Sequence, residues 1–157
     1  MFNWKLQMIK FKKIAGDPRP LFRLLAQAVD NDPEILALYC FGSYADGRVG
    51  PLSDVDLAVL LDREVPRDQY FSKRLSLHAL AAHLLRTDEI DLVILNSAPP
   101  LLVHRVVKGG KLLYQRDPAK RIAFEVQAIR RYLDFAPVLD RCQEAMTSYI
   151  LAVKSVA

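Results

Sequence analysis

Two aspartates, Asp54 and Asp56, stand at the head of an apolar run, Leu57-Ala58-Val59-Leu60-Leu61. Their i, i+2 spacing sends both side chains from one face of a strand. Strands disfavour Asp, and a buried carboxylate is costly enough to require a donor or a cation. A third aspartate, Asp91, interrupts the run Ile90-Asp91-Leu92-Val93-Ile94-Leu95, and reaches the same face if the two strands pair. Three carboxylates converging in a partly buried pocket repel one another, which raises their pKa values. A divalent cation removes that conflict, because Mg²⁺ takes oxygen ligands and typically joins one or two carboxylates to substrate phosphates. Two such ions a few Å apart align an in-line displacement at phosphorus.

The pair Gly42-Ser43 supplies a second half. Gly42 closes an apolar run that ends in Phe41, and a glycine there lets a ligand approach the backbone closely. Ser43 and Asp46 have the S-x-x-D form of a helix capping box. A hydroxyl beside free backbone N–H groups makes a phosphate cradle. The loop therefore offers phosphate donors, and the strand after it offers metal ligands.

The flanking elements follow from apolar periodicity. Leu21, Leu24, Leu25, Ala28 and Val29 share one helical face, closed by Asp30-Asn31-Asp32-Pro33. Residues 34–41 read as a short buried strand, 42–53 as a glycine-rich loop, and 54–61 as a second strand. After the turn at 62–68, a helix over 69–86 offers Phe71, Leu75, Leu77, Leu80, Ala81 and Leu84 for burial. Residues 89–95 form a third strand, stopped by Asn96-Ser97-Ala98-Pro99-Pro100. A short helix at 101–107 ends at Gly109-Gly110, suited to a helix C-terminus, and 111–115 is an edge strand. The last forty or so residues are helical, with Pro137 expected to divide them into two segments. In the second, Val138, Cys142, Met146, Tyr149 and Val153 form a stripe that would ordinarily pack on the core, or else face a partner. Strands alternating with helices indicate an α/β domain.

Composition sets outer bounds. At 157 residues the chain suits one domain, and its 52% hydrophobic content is that of a globular protein. No apolar run approaches the length of a membrane span. Lys5, Lys10, Lys12 and Lys13 break up the N-terminal apolar residues, which excludes a signal-peptide h-region and points to the cytoplasm. Cys40 and Cys142 lack metal-type spacing and read as buried thiols. The net charge of +4 is spread along the chain, unlike the concentrated patch of a direct nucleic-acid binder. His78 and His83 do not share a helical face, His104 reads as a surface or core residue, and Tyr39, Tyr44 and Tyr132 read as packing residues.

Gly42-Ser43, ten intervening residues, then Asp54-Val55-Asp56 is the GS-x10-D-x-D signature of the DNA polymerase β-like nucleotidyltransferases. The stretch FGSYADGRVGPLSDVDLAVLL resembles the minimal nucleotidyltransferase (MNT) branch, whose third carboxylate lies on a later strand, as Asp91 does. The run VVKGGKLLYQRDPAKRIAFEVQAIRRYLDFAPVL is similar to the tail of MNT antitoxins that pair with HEPT toxins. The resemblance spans roughly residues 18–140. It implies a short mixed sheet flanked by helices with a helical C-terminus: an N-terminal extension over 1–17, a nucleotidyltransferase core over 18–116, and a helical segment over 117–157. It further implies transfer of AMP from ATP to a tyrosine of a cognate HEPT ribonuclease. Asp54, Asp56 and Asp91 would be catalytic and hold two Mg²⁺ ions, and Gly42 and Ser43 would bind the β- and γ-phosphates. One position departs: Asp46 stands where the family is often basic, which is expected to weaken contact with the triphosphate unless Arg48 compensates. Two alternatives remain, a small-molecule acceptor such as an antibiotic, and an antitoxin that acts by binding alone.

Overall fold

The computed structural model describes residue 14, residues 17–50 and residues 53–156; most of the expected extension over 1–17 lies outside these. Among the described residues, five α-helices and four strands alternate: α1 (Arg19–Val29), β1 (Ile35–Phe41), α2 (Gly42–Asp46), β2 (Val55–Leu61), α3 (Tyr70–Leu85), β3 (Ile90–Ile94), α4 (Pro100–Gly109), β4 (Lys111–Gln115) and α5 (Pro118–Val156). The strands form one mixed sheet in the order β3-β2-β1-β4. β1 runs antiparallel to both β2 and β4, while β2 and β3 are parallel. A parallel pair needs a crossover, and α3 supplies it.

Both central strands are covered on two faces, which is why they read as unbroken apolar runs. Every residue of β1 is buried, and in β2 only Asp56 escapes full burial. On one face α1 and α3 press Leu25, Val29, Leu77 and Leu85 against Leu38, Leu57 and Val59. On the other, α4 and the first part of α5 bring Val103, Val106 and Ala128 against Tyr39, Ala58 and Leu60. Tyr39 donates to Glu125 Oε1 at 2.8 Å, and Arg121 to the same oxygen at 2.6 Å, tying α5 to the sheet. The Asn96 side chain bonds both the N–H and the C=O of Leu61 at 2.9 Å, closing the far end of β2.

Four expectations are corrected. On α1, Phe22 is buried and Leu24 is 48% exposed, because the i, i+3, i+7 row 22-25-29 faces the sheet. On α3, the inward row is Leu77, Ala81 and Leu85, and Phe71 and Leu75 point to solvent. Pro137 does not divide the C-terminal segment: α5 is continuous over 39 residues. The proline forfeits one ladder hydrogen bond but has a helix-compatible φ, and the residues on either side carry the helix on. Cys142 is exposed rather than buried, and so are its stripe neighbours Val138, Met146 at 66% and Tyr149 at 70%. The reason is length. A helix of 39 residues runs roughly 58 Å at 1.5 Å per residue, whereas the seven-residue strands beneath it run only about 23 Å. Among the described residues, no helix is long and apolar enough to cross a membrane.

Leu57 is wholly enclosed between β1, β3 and the α1/α3 layer, and Leu133 stands in solvent. Leu57→Ala should therefore lower the unfolding free energy by about 2–5 kcal/mol in denaturant titration. Leu133→Ala should change it by no more than about 0.5 kcal/mol.

Candidate active site

The register places the acidic residues. In the parallel pair, Asp56 stands opposite Asp91, and in the antiparallel pair Phe41 stands opposite Asp56. Gly42, the next residue after Phe41, therefore arrives beside the Asp56 carboxylate. It adopts φ +65°, and a Cβ built there would fall on Asp56 Oδ2, with Asp56 Cγ at 3.1 Å. Glycine is required at this position on both counts. Asp54 lies one residue before β2, on the Asp56 face by alternation. Pairing starts at the first residue of each strand, where the Val55 N–H donates to the Glu89 carbonyl at 2.9 Å.

Asp56 is half-buried, and Asp54 and Asp91 are exposed. Burial raises the Asp56 pKa most, and the charges of Asp91 and then Asp54 raise it further. The charged form of Asp56 is thus less favourable than that of a solvated aspartate, and a cation would relieve it. Among the described residues, no three acidic, histidine or cysteine side chains are gathered into a closed ligand set. The aspartates stand at one end of the sheet, where the charges of Asp91 and Asp54 both act on Asp56. An all-carboxylate donor set around a destabilised anion fits a hard divalent ion.

The sequence assigned 42–53 to a loop, but Gly42–Asp46 forms the short helix α2. The capping box between Ser43 and Asp46 does not form. The helix starts at Gly42 behind Phe41, no side chain caps it, and Ser43 lies inside its first turn. Instead the Ser43 carbonyl accepts the N–H groups of Gly47, at φ +72°, and of Arg48 at 2.9 Å. The Ser43 hydroxyl itself has no partner among the described residues. Asp46 and Arg48 both point to solvent.

One residue of this corner, Glu89, escaped the sequence reading, while Tyr44 is the packing residue expected. Tyr44 follows Ser43, packs edge-on against Phe22 with centroids 6.2 Å apart, and has its phenol pKa raised by burial and then by Glu89, Cys40 and Asp54. Glu89 stands two residues before Asp91, the same alternation that relates Asp54 to Asp56. That spacing was the available signal. Cys40, on the sheet face opposite Asp56, is pushed up to about 12 by burial and secondarily by Asp56, against Lys111. A cavity of about 530 Å³ lies between Phe22, Tyr44, Cys40, Arg23 and Lys111, and borders the acidic corner rather than containing it. The remaining candidates are structural. His104 stacks on Tyr132 at 3.7 Å, His78 Nε2 lies 3.1 Å from the Ile90 carbonyl, and Tyr39 is buried.

A mixed sheet whose end carries strand-borne aspartates beside a Gly-Ser turn is the architecture of a nucleotidyltransferase. The family described as "Polymerase beta, Nucleotidyltransferase" matches residues 24–119, and the chain belongs to it. Its polymerase β-like fold is shared with solved toxin–antitoxin structures. One, a crystal structure of the toxin–antitoxin with AMP-PNP, is 29% identical and superposes with a TM-score of 0.64 over 82% of this chain and 98% of that one. Another, tri-AMPylated Shewanella oneidensis HEPN toxin in complex with MNT antitoxin, is 27% identical with a TM-score of 0.61 over the same shares, 82% and 98%. In sequence, the protein adenylyltransferase MntA of Shewanella oneidensis is 35% identical over 103 residues, 66% of this chain and 70% of that protein. MntA of Aphanizomenon flos-aquae is 34% identical over 88 residues, 53% of this chain and 59% of that protein, so the likeness spans less than two thirds of its length.

Two outcomes follow from this geometry. Because the Asp56 pKa is raised in the folded state, its ionisation opposes folding above that pKa. As pH falls through the raised pKa toward the ordinary 3.8, protonation relieves the penalty. Asp56→Asn should therefore melt higher than the parent at pH 7 in EDTA, and the gap should close as pH is lowered through the carboxylate range. Gly42→Ala meets both a left-handed φ and the Asp56 carboxylate, and should cost about 1–3 kcal/mol in denaturant titration.

Proposed function

We propose that this protein is an antitoxin-type protein adenylyltransferase, transferring AMP from ATP to a tyrosine hydroxyl of a cognate HEPN-type (HEPT) ribonuclease toxin in the cytoplasm. The observation that carries the reading is the pairing of Asp56 with Asp91 across β2 and β3, with Gly42 held against the Asp56 carboxylate. Its support comes from relatives named protein adenylyltransferase and from a solved relative described with a tri-AMPylated toxin.

In the reaction, the acceptor hydroxyl oxygen attacks the α-phosphorus of ATP and forms the new O–P bond. The bond from that phosphorus to the bridging oxygen of the β-phosphate breaks, and pyrophosphate leaves. Asp54, Asp56 and Asp91 would hold Mg²⁺, two ions by the resemblance, which when bound neutralises triphosphate charge and aligns the displacement. Asp91 also accepts the hydroxyl proton. The Ser43 hydroxyl and the backbone at Gly42 hold the β- and γ-phosphates, and Arg48 offers the cation that Asp46 does not. The overhanging face of α5, with Phe135, Val138, Met146 and Tyr149 exposed, gives a partner protein a surface to bind.

The test is co-expression with the toxin, followed by intact-mass measurement of the toxin. Whole AMP increments are expected with the parent protein and none with Asp54→Asn/Asp56→Asn. A toxin that stays unmodified yet is silenced equally by parent and variant would sink the enzymatic reading and leave neutralisation through the α5 face alone.

A further inference from the structure

We infer that Glu89 is a positioning residue of this site: a fourth carboxylate, which holds a hydrated divalent cation against Asp54. The inference rests on the proposed metal-binding role of Asp54, Asp56 and Asp91, and extends it to a residue outside the signature.

Parallel pairing matches Val55 with Ile90 and Asp56 with Asp91. Continued one residue back, the same register sets Glu89 beside Asp54, and the Val55 N–H bond to the Glu89 carbonyl at 2.9 Å, part of the Val55–Ile90 pair, holds the Glu89 backbone against that strand. Glu89 stands two residues before Asp91, in a tight turn closed by the Ile90 N–H bond to the Asp88 carbonyl at 3.0 Å. Four carboxylate residues thus stand at this end of two neighbouring strands, Asp54 and Asp56 at the start of β2 and Glu89 and Asp91 at the start of β3. The Glu89 backbone is also fixed, since its N–H donates to Thr87 Oγ1 at 3.2 Å and Thr87 is buried.

The side chain carries the argument further. Glu89 Oε2 is the one buried side-chain oxygen or nitrogen without a hydrogen-bond partner among the described residues. A glutamate with a purely structural role at such a place would be expected to meet a lysine, an arginine or an N–H group, and Glu89 takes part in none of the six ion pairs of the described residues. Instead its charge is felt at the Tyr44 phenol together with that of Asp54. A secluded acceptor in this company suits a donor that arrives with a ligand. Mg²⁺ and Mn²⁺ keep several water ligands in carboxylate sites, and each water is a donor. A carboxylate behind those waters orients the ion, and losing such an outer group commonly lowers metal affinity by 10–100-fold.

Mn²⁺ is the probe, titrated into the full chain without nucleotide and followed by the electron paramagnetic resonance of the free ion. Glu89→Gln should weaken Mn²⁺ binding about tenfold or more, Glu89→Asp should fall between Glu89→Gln and the parent, and Glu89→Gln should melt higher than the parent in EDTA because an unpaired charge is gone. If Asp54→Asn loses Mn²⁺ while Glu89→Gln binds it as the parent does, the Glu89 assignment is overturned and the three-aspartate site stands. Parent-like affinity in both variants overturns the site and the assignment together. A Glu89→Gln protein that does not fold, or melts lower in EDTA, shows a structural role and also overturns it.

Discussion

The parallel register between β2 and β3 is the constraint on which the rest of this structure depends. A slip of one residue would turn Asp91 to the opposite face and part it from Asp56, leaving no shared acidic surface. The register is held far from the carboxylates. Leu57 and Val59 on β2 and Leu92 and Ile94 on β3 lie in the layer beneath α1 and α3, where a one-residue shift would expose them all. The crossover α3 and the Asn96 clamp on Leu61 fix the other end. Apolar burial thus sets the position of charged groups that by themselves would move apart.

Gly42 transmits the same constraint to the turn that follows β1. Because Phe41 pairs with Asp56, the chain must turn over a carboxylate immediately after β1, and only a residue without Cβ fits. The turn closes at Gly47, where the left-handed C-cap returns its N–H to Ser43. What the signature records as glycine, serine and two aspartates at fixed spacing is one steric object: a backbone corner wrapped on an acidic strand end. Lengthening the side chain at Gly42 disturbs the carboxylate as directly as altering Asp56 itself.

The sequence was most informative where one pattern decided one contact. Period-2 alternation identified the strands and the shared face of Asp54 and Asp56, and the long apolar runs marked a sheet covered on both sides. It was less informative where two patterns competed. Leu24 and Phe22 both fit an apolar row on α1, and only the sheet beneath selects Phe22. Ser43 and Asp46 have capping-box spacing, but the helix starts at Gly42 behind Phe41 and takes Ser43 into its first turn. Pro137 marks a lost hydrogen bond, not a lost helix, once nineteen helical residues precede it in α5. Glu89 was missed because glutamate before a strand is common, and its meaning depends on a partner strand that one segment cannot reveal. The exposure of Cys142 and Tyr149 is likewise invisible in a local window, because it follows from the length of the domain underneath.

The two unusual features of the molecule sit at opposite ends and are both incomplete in the isolated chain. At the sheet end, like charges stand in register with Asp56 destabilised as an anion, a cost tolerated because the core supplies the stability. At the far end of α5, an apolar face extends past anything in its own domain that could cover it. A helix of this kind gains little stability from propensity alone, since most helical stability in proteins comes from packing an apolar face. Each end is therefore best satisfied by something bound: oxygen-seeking cation and triphosphate at one, a protein surface at the other. Because α5 is one continuous helix anchored to β1 through Tyr39, Glu125 and Arg121, a partner held on its overhang is held in a fixed relation to the sheet that carries the carboxylates. That rigid connection would let the chain present a macromolecular hydroxyl on a bound partner to the carboxylate corner.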